Sequence, residues 1–336
     1  MKRIVYLDLL RVMAIFGVIV IHVFCTDYPA SFISSDWYVA LVGDSMVRWA
    51  VPVLVMISGA LFLRPEKEIT IPTLLKKHIP HLLIAYIFWT LAYGIVVTWF
   101  KTSYKGEPFT IGYLLTPHFH LWFLPMLMGV YLLVPLLRKI AKDDKLLRYA
   151  LLIWLVYITL SFVKPDIIGI RQITNLFNVN IVIGYAGYAL CGYYLSQKTF
   201  SKRQRWLLYI LGIIGLAVTI SGNLVFSLAK GESNEFFWNC LSPQVIAMAS
   251  ALFILVKEIS PKAGKSVLWF VDYVRKDLFG IYLTHALWLL LLDRDPIRNC
   301  CNQAITLPMI TIAVFILSLY TTKLIRLIPG VKKVVE

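Results

Sequence analysis

The sequence predicts an all-α fold, a polytopic bundle of about ten transmembrane helices. Of its 336 residues, 59% are hydrophobic and only 15% are charged, and the mean hydropathy is +0.76. An ordinary soluble domain carries about a quarter charged residues. Long apolar runs recur along the chain, the loops between them are short, and no Gly/Ser linker or internal repeat appears. We therefore expect one transmembrane domain over 1–336, with no appended soluble domain.

Ten segments are long and apolar enough to cross a hydrocarbon core, which needs roughly 20 residues per helix. The first is too long for a cleavable signal peptide and lacks a small-residue cleavage site, so we expect a retained span. The ninth carries four charges in its first half, which predicts a surface segment 267–277 followed by a true span 278–292. The sixth is interrupted by Asn178 and Asn180, and the eighth by Pro243. The ten candidates are 4–24, 39–63, 79–100, 119–137, 147–163, 176–196, 206–228, 238–257, 267–292 and 304–326.

The basic residues are distributed as topology signals rather than as a nucleic-acid surface. If the N-terminus lies in the cytoplasm, 24 of the 33 Lys and Arg residues fall on cytoplasmic segments and seven on outer loops. This bias predicts that both termini are cytoplasmic, since basic residues stay on that side. The net charge of +15 therefore does not imply a nucleic-acid partner, although some of these cations can also attract an anionic cytosolic substrate.

The first span, which contains LDLLRVMAIFGVIVIHVF at 7–24, carries three ionisable residues. An ionisable group at bilayer depth is costly and is a functional candidate by default. Asp8 and Arg11 are spaced i, i+3 and can pair on one helix face. Arg11 and His22 are eleven residues apart, so they share a face and lie about 16 Å apart along the axis. The structural alternative is an Asp–Arg pair that braces the helix end and a histidine at the outer boundary.

Three further spans contain polar candidates. Arg48 precedes a proline in the second span, and the alternative to a substrate role is a pair with Asp44 at i−4. His120 and Trp122, together with His118, begin the fourth span at the outer mouth, where aromatic belts also occur. His285 lies within FGIYLTHALW, in the middle of a span, where the alternative is a buried, hydrogen-bonded histidine.

Four motifs resemble segments of one known family, in the order expected for that family. They are LDLLRVMAIFGVIVIH, VPVLVMISGALFL, HLWFLPMLMGVYLLVPLL and FGIYLTH, and the family is the acyltransferase-3 family of integral membrane acyltransferases. The first motif contains the Arg-x10-His pattern of that family, and the resemblance covers most of 4–330. The chain is most similar to the surface-polysaccharide O-acetyltransferase branch, to which the enterobacterial common antigen O-acetyltransferase belongs.

The resemblance implies an enzyme of the bacterial cytoplasmic membrane that moves an acyl group, usually acetyl from acetyl-CoA, to a hydroxyl of a cell-envelope polysaccharide or its lipid-linked precursor. Acyl-CoA is then a co-substrate, and no bound cofactor is implied. The essential Arg and His of the family correspond to Arg11 and His22. The family also shows Arg-x-x-Arg after the second span, whereas this chain reads KKHIPHLL at 76–83. The residues there that can replace it at the donor phosphates are Lys76, Lys77, His78 and His81.

Acyl transfer needs a base for the attacking hydroxyl, and histidine suits that role because its pKa lies near neutrality. We expect His22 to take the acceptor proton, or to carry the acyl group itself. Arg11 leans toward the helix N-terminus, away from His22. We therefore expect Arg11, steadied by Asp8, to hold the CoA end, with a pantetheine arm spanning the interval. The passage between them is predicted to be lined by Arg48, His120, Trp122 and His285.

Two other classes of protein fit parts of the sequence. A transporter or flippase for a glycan or lipid intermediate would also have many helices with polar residues at depth. Against it, the two halves contain no matching pair of broken helices, the usual sign of inverted repeats. A structural membrane subunit would leave the ionisable sites without a purpose. The five cysteines show no metal-ligand spacing, so no metal is predicted.

Overall fold

The computed structural model of the chain describes residues 3–25, 32–66, 69–105, 108–163, 181–292, 295–298 and 300–335. Every regular element within these ranges is helical, which confirms the predicted all-α bundle. Eight helical segments of the described residues are long and apolar enough to cross a membrane, and Leu278–Leu292 is a shorter apolar helix. The chain is thus a multi-pass membrane protein, whereas the count of ten spans and the cytoplasmic termini stay predictions.

The helices follow one another with short connections. In chain order they are α1 (Val5–Cys25), α2 (Ser35–Ser45), α3 (Ala50–Phe62), α4 (Ile71–Thr73), α5 (Ile79–Lys105), α6 (Ile111–Leu115), α7 (Phe123–Lys142), α8 (Asp144–Val163), α9 (Ile181–Gln197), α10 (Lys202–Lys230), α11 (Pro243–Ile259), α12 (Lys265–Val274), α13 (Leu278–Leu292), α14 (Asp295–Arg298) and α15 (Gln303–Arg326). A π-helical turn, Leu74–His78, joins α4 to α5, and a 3-10 turn, Phe119–Trp122, leads into α7.

One predicted division of a segment is confirmed, and two other segments differ in detail from the prediction. The ninth segment is divided into α12 and α13, as its charges predicted. Pro243 begins α11 instead of interrupting it, since proline needs no N–H partner in the first turn. The second predicted span is present as one segment long enough to cross a membrane, Ser35–Phe62, but a turn at 46–49 divides it into α2 and α3 and places Arg48 between them. The start of the sixth predicted span, with Asn178 and Asn180, lies outside the described residues.

Helix α1 lies in the middle of the bundle, in contact with α2, α3, α11, α12, α13 and α15. Its ionisable residues therefore face protein rather than lipid on most sides. Glycines allow the tightest crossing, between α3 and α9. A Cβ on Gly59 would lie 1.9 Å from the carbonyl oxygen of Ala189, and one on Gly192 would lie 2.1 Å from that of Met56. Small residues at such a crossing let two backbones approach closely, which is a common basis of helix packing in membranes.

The segment before α7 returns into the bundle along α5. Helix α6 packs on α5, where a Cβ on Gly94 would lie 2.6 Å from the backbone of Leu114. The 3-10 turn that follows carries His120 to a position where only 1% of its surface is exposed. The returning segment therefore buries His120 between α5 and α13, and its predicted place at the outer mouth of the bundle stays a prediction.

Candidate active site

Four histidines from three separate parts of the chain meet in the bundle. The rings of His22 on α1 and His285 on α13 are stacked, with centroids 5.3 Å apart and an angle of 19° between their planes. His120 meets His285 edge to face, with centroids 4.9 Å apart. The Nδ1 atoms of His118 and His120 lie 3.1 Å apart, so one of them donates to the other. This histidine cluster unites three of the predicted site residues: His22, His120 and His285.

The backbone fixes the tautomer of His285. Its Nδ1 lies 2.5 Å from the carbonyl oxygen of Tyr282, and a carbonyl oxygen can only accept. In the neutral ring, Nδ1 therefore carries the hydrogen and Nε2 carries the lone pair. That Nε2 atom is buried and has no hydrogen-bond partner, as is Nε2 of His120. A buried polar atom without a partner costs about 1–3 kcal/mol. The Nε2 atom of His120 is a candidate for contact with a substrate, because His120 lines the outer cavity described below, whereas His285 does not.

Two tyrosines hold the histidine cluster in place. The hydroxyl of Tyr282 donates to the carbonyl oxygen of His120, which ties α13 to the 3-10 turn. The hydroxyl of Tyr93 on α5 donates to the carbonyl oxygen of Leu283 over 2.7 Å. The ring of Tyr93 also stacks on His118, with centroids 4.5 Å apart. These bonds satisfy buried hydroxyls and fix the position of both histidine-bearing segments.

Arg48 enters the same region from the turn between α2 and α3. Its guanidinium pairs with Asp44 and lies 4.4 Å from the ring centroid of Trp238. The Asp44 side chain is fully buried and that of Arg48 is 13% exposed. Nε of Arg48 and Oδ1 of Asp44 are buried without a hydrogen-bond partner. The structural alternative for Arg48, a pair with Asp44, is therefore present, and one guanidinium N–H is still available to a ligand.

Two cavities follow one another along α1. The outer cavity has a volume of about 140 Å³ and is lined by His22, Arg48, His120, Trp122, Cys240 and Tyr282, among others. The inner cavity has a volume of about 510 Å³ and is lined by Arg11 and by apolar residues of α3, α7 and α13. Leu54, Phe123 and Tyr282 line both cavities, so the two share a wall. Arg11 and His22 thus face adjoining spaces rather than lipid.

The inner cavity is basic. Besides Arg11, it is lined by His81, Arg275, Lys276 and Arg326. Two of these cations have acidic neighbours: Nη1 of Arg326 lies 2.5 Å from Asp277, and Nε of Arg275 lies 3.1 Å from Asp272. The surplus of positive charge suits an anionic ligand.

The acyltransferase domain model of the acyltransferase-3 family matches residues 4–325, nearly the whole chain. The chain belongs to the acyltransferase-3 family. It is therefore an acyltransferase, and the two cavities lie within the matched domain. Neither a curated protein nor a solved structure matches the chain.

In the acyltransferase, Asp8 is less closely bound to Arg11 than the i, i+3 spacing suggests. Oδ2 of Asp8 accepts a hydrogen bond from Nε of Arg3 over 2.9 Å, whereas Nη1 of Arg11 lies 4.0 Å from Oδ1. Arg3 also pairs with Asp272 over 2.8 Å, which connects the start of α1 to α12. Asp8 therefore holds Arg3 first and Arg11 only at the limit of an ion pair.

The basic segment at 76–83 of the acyltransferase does not lie in one cavity. His81 lines the inner cavity, but Lys76 and Lys77 line a neighbouring groove of about 450 Å³ with His81 and Lys333. The ring of His78 instead packs on Phe62, with centroids 5.0 Å apart. Of the four predicted phosphate-binding residues, the structure brings only His81 into the cavity that contains Arg11.

Sequence reasoning missed three cations of the inner cavity: Arg275, Lys276 and Arg326. In the sequence, all three are sufficiently explained as basic residues that mark the cytoplasmic side of the membrane. The sequence does contain one indication of a functional role for Arg275 and Lys276. Four charged residues cluster at 272–277, directly before an apolar helix, and a helix that only spans the membrane would not need these charges. In the acyltransferase, Arg275 and Lys276 of this cluster line the inner cavity.

Proposed function

We propose that this acyltransferase moves a short acyl group, acetyl, from cytosolic acyl-CoA to a hydroxyl of a cell-envelope polysaccharide or its lipid-linked precursor, in a bacterial cytoplasmic membrane. The observation that carries the proposal is the pair of adjoining cavities. The inner one is basic and contains Arg11, and the outer one is small and contains His22 and His120. This order matches a donor with a charged end and a reactive end.

The inner cavity suits the nucleotide end of acyl-CoA. Its volume of about 510 Å³ lies within the range of about 300–1,000 Å³ that is usual for ligand pockets. Arg11, Arg275 and Arg326 supply planar guanidinium groups, which bind phosphate in a bidentate manner. The CoA phosphates would lie among these groups, and the pantetheine arm would extend along α1 toward the shared wall.

The outer cavity suits the reacting groups. The acceptor oxygen attacks the thioester carbonyl carbon, a new C–O bond forms, and the C–S bond breaks. His22 takes the hydroxyl proton and returns it to the departing CoA thiolate, which leaves as a thiol. In a second route, a ring nitrogen of His22 attacks the thioester carbon, the C–S bond breaks, and the proton of the imidazole goes to the departing CoA thiolate. The acceptor oxygen then attacks the acyl-imidazole, the N–C bond breaks, and the hydroxyl proton returns to the imidazole.

The neighbours of His22 have separate roles in this proposal. His285 is fully buried and is not among the residues that line the outer cavity, so it would orient the ring of His22, on which it stacks, instead of contacting the acceptor. Nε of Arg48 is a buried donor without a partner, which suits the oxyanion that develops on the thioester carbonyl. His120 and Trp122 would complete the walls around the acceptor.

The test is turnover of acetyl-CoA by the purified protein in lipid nanodiscs, read as released CoA thiol, together with analysis of envelope glycans for a lost ester in cells without the gene. His22→Ala should abolish both signals while the protein still inserts and folds. Met13→Ala is the matched control, since Met13 lies on α1 but is exposed on the outside of the bundle. Retained turnover in His22→Ala would refute the assigned base. A wild-type protein that neither binds nor cleaves acyl-CoA would refute the donor.

A further inference from the structure

Three side chains occupy the junction between the inner and outer cavities. Leu54 on α3, Phe123 on α7 and Tyr282 on α13 are the members that the linings of both cavities have in common. We call these three side chains the collar. We infer that the collar sets the length of the acyl group that the enzyme accepts, an inference that rests on the proposed function.

The collar lies on the route that the thioester must take. A donor whose phosphates bind beside Arg11 can reach His22 only by extending from the inner cavity into the outer one. The interval along α1 is about 16 Å, which a thin chain can span and a nucleotide cannot follow. The acyl group is the leading end of that chain, so it passes between the collar side chains first.

The outer cavity gives the acyl group little room beyond the collar. Its volume of about 140 Å³ is well below the range of about 300–1,000 Å³ that is usual for ligand pockets. The same space must also admit the attacking hydroxyl. A short acyl group fits beside that hydroxyl, whereas a longer chain would have to stay in the collar or displace the acceptor.

The collar is held at a fixed width. The hydroxyl of Tyr282 is bound to the carbonyl oxygen of His120, and its side chain is only 5% exposed. The rings of Phe123 and Tyr282 meet edge to face, with centroids 5.6 Å apart. Packed interiors do not deform continuously, so these contacts fix the boundary that the collar gives to the outer cavity, and that boundary limits the length of the acyl group beyond it. Discrimination then follows from size: each methylene that does not fit lowers kcat/KM by about 10–200-fold.

The experiment measures kcat/KM for acetyl-, propionyl-, butyryl- and hexanoyl-CoA with the full-length protein in nanodiscs. The wild type should prefer acetyl-CoA. Leu54→Ala should raise the ratio of butyryl-CoA to acetyl-CoA turnover by about tenfold or more, because it removes one side of the collar. Leu127→Ala is the matched control, since Leu127 lines the inner cavity but not the outer one, and its ratio should not change.

A second pair of variants tests the collar from the other direction. Leu54→Trp should close it, so that acyl-CoA still binds but is no longer cleaved. Phe123→Leu keeps an apolar side chain and should broaden selectivity if Leu54→Ala does not fold. If all three variants, Leu54→Ala, Phe123→Leu and Leu127→Ala, turn over acetyl-CoA with the same ratio of butyryl-CoA to acetyl-CoA turnover, the collar does not set acyl length. The proposed function would then still stand. Absence of binding and cleavage of every acyl-CoA by the wild type would overturn both.

Discussion

The buried ion pair of Asp44 and Arg48 provides the sharpest test of the structure. Asp44 is fully enclosed, and the arginine that it neutralises is almost so. Asp44→Asn keeps the shape of the side chain but leaves the guanidinium charge buried without its counter-charge. Loss of one partner of a buried pair costs about 3–5 kcal/mol, so we expect the free energy of unfolding to fall by that amount.

The control is a pair on the surface. Asp144 pairs with Lys198 over 2.7 Å and with Arg148 over 3.2 Å, and it is 45% exposed, so solvent screening should keep the cost of Asp144→Asn to about 1 kcal/mol. The assay is reversible unfolding in mixed micelles, followed by tryptophan fluorescence. If Asp44→Asn lowers the free energy of unfolding by no more than the control does, the buried ion pair is refuted.

The double variant separates a structural role of Arg48 from a functional one. Asp44→Asn with Arg48→Met removes both charges, and replacement of a whole buried pair by uncharged residues is often neutral or stabilising. We therefore expect its stability to return to within about 1 kcal/mol of the wild type, with a strong coupling between the two sites. If this stable protein no longer transfers acyl groups, Arg48 acts on the substrate. Full activity would refute the oxyanion role proposed above.

Three further predictions concern the donor site and the packing. Arg11→Lys should raise KM for acyl-CoA more than KM for the acceptor, because lysine lacks the planar fork; equal increases in steady-state assays would contradict the donor assignment. Replacing Arg275 and Lys276 by Gln should weaken the binding of acyl-CoA, measured by calorimetry. The same variant should bind a pantetheine thioester that lacks the nucleotide with the affinity of the wild type. Gly59→Ala should destabilise the protein by about 1–3 kcal/mol in the unfolding assay, since its Cβ would clash with Ala189, whereas the Cβ of Gly112→Ala would meet only Thr110 at an ordinary contact distance of 3.6 Å and should not destabilise.

Local patterns in the sequence predicted the features that depend on neighbours along the chain. The division of α12 from α13 followed from charges that no span would contain, and the Asp44–Arg48 pair followed from its i, i+4 spacing. The break at 46–49 was missed because the residues around it are apolar enough for one span. It is stabilised locally, for example by the indole of Trp49, which donates to the carbonyl oxygen of Met46 over 2.6 Å.

Features that depend on which helices pack together could not be predicted in this way. Periodicity gives the buried face of a helix but not its partner. His22 and His285 are each conspicuous in the sequence, yet nothing in their own segments indicates that their rings stack. The same limit explains why Arg275, Lys276 and Arg326 were interpreted only as topology signals, since their shared cavity exists only after α1, α12 and α15 have packed.

The contrast in charge between the two cavities explains how the proposed acyl transfer across a membrane would avoid moving a nucleotide. Transfer of a charged group through hydrocarbon is costly, but a thioester arm and a short acyl group are uncharged. In the proposed enzyme, the phosphates stay with Arg11, Arg275 and Arg326, and only the arm enters the collar. Beyond the collar, the one arginine that lines the outer cavity among the described residues is already neutralised by Asp44. The acceptor therefore meets hydrogen-bonding imidazoles with little net charge, which favours a hydroxyl over an anionic group at the point of transfer.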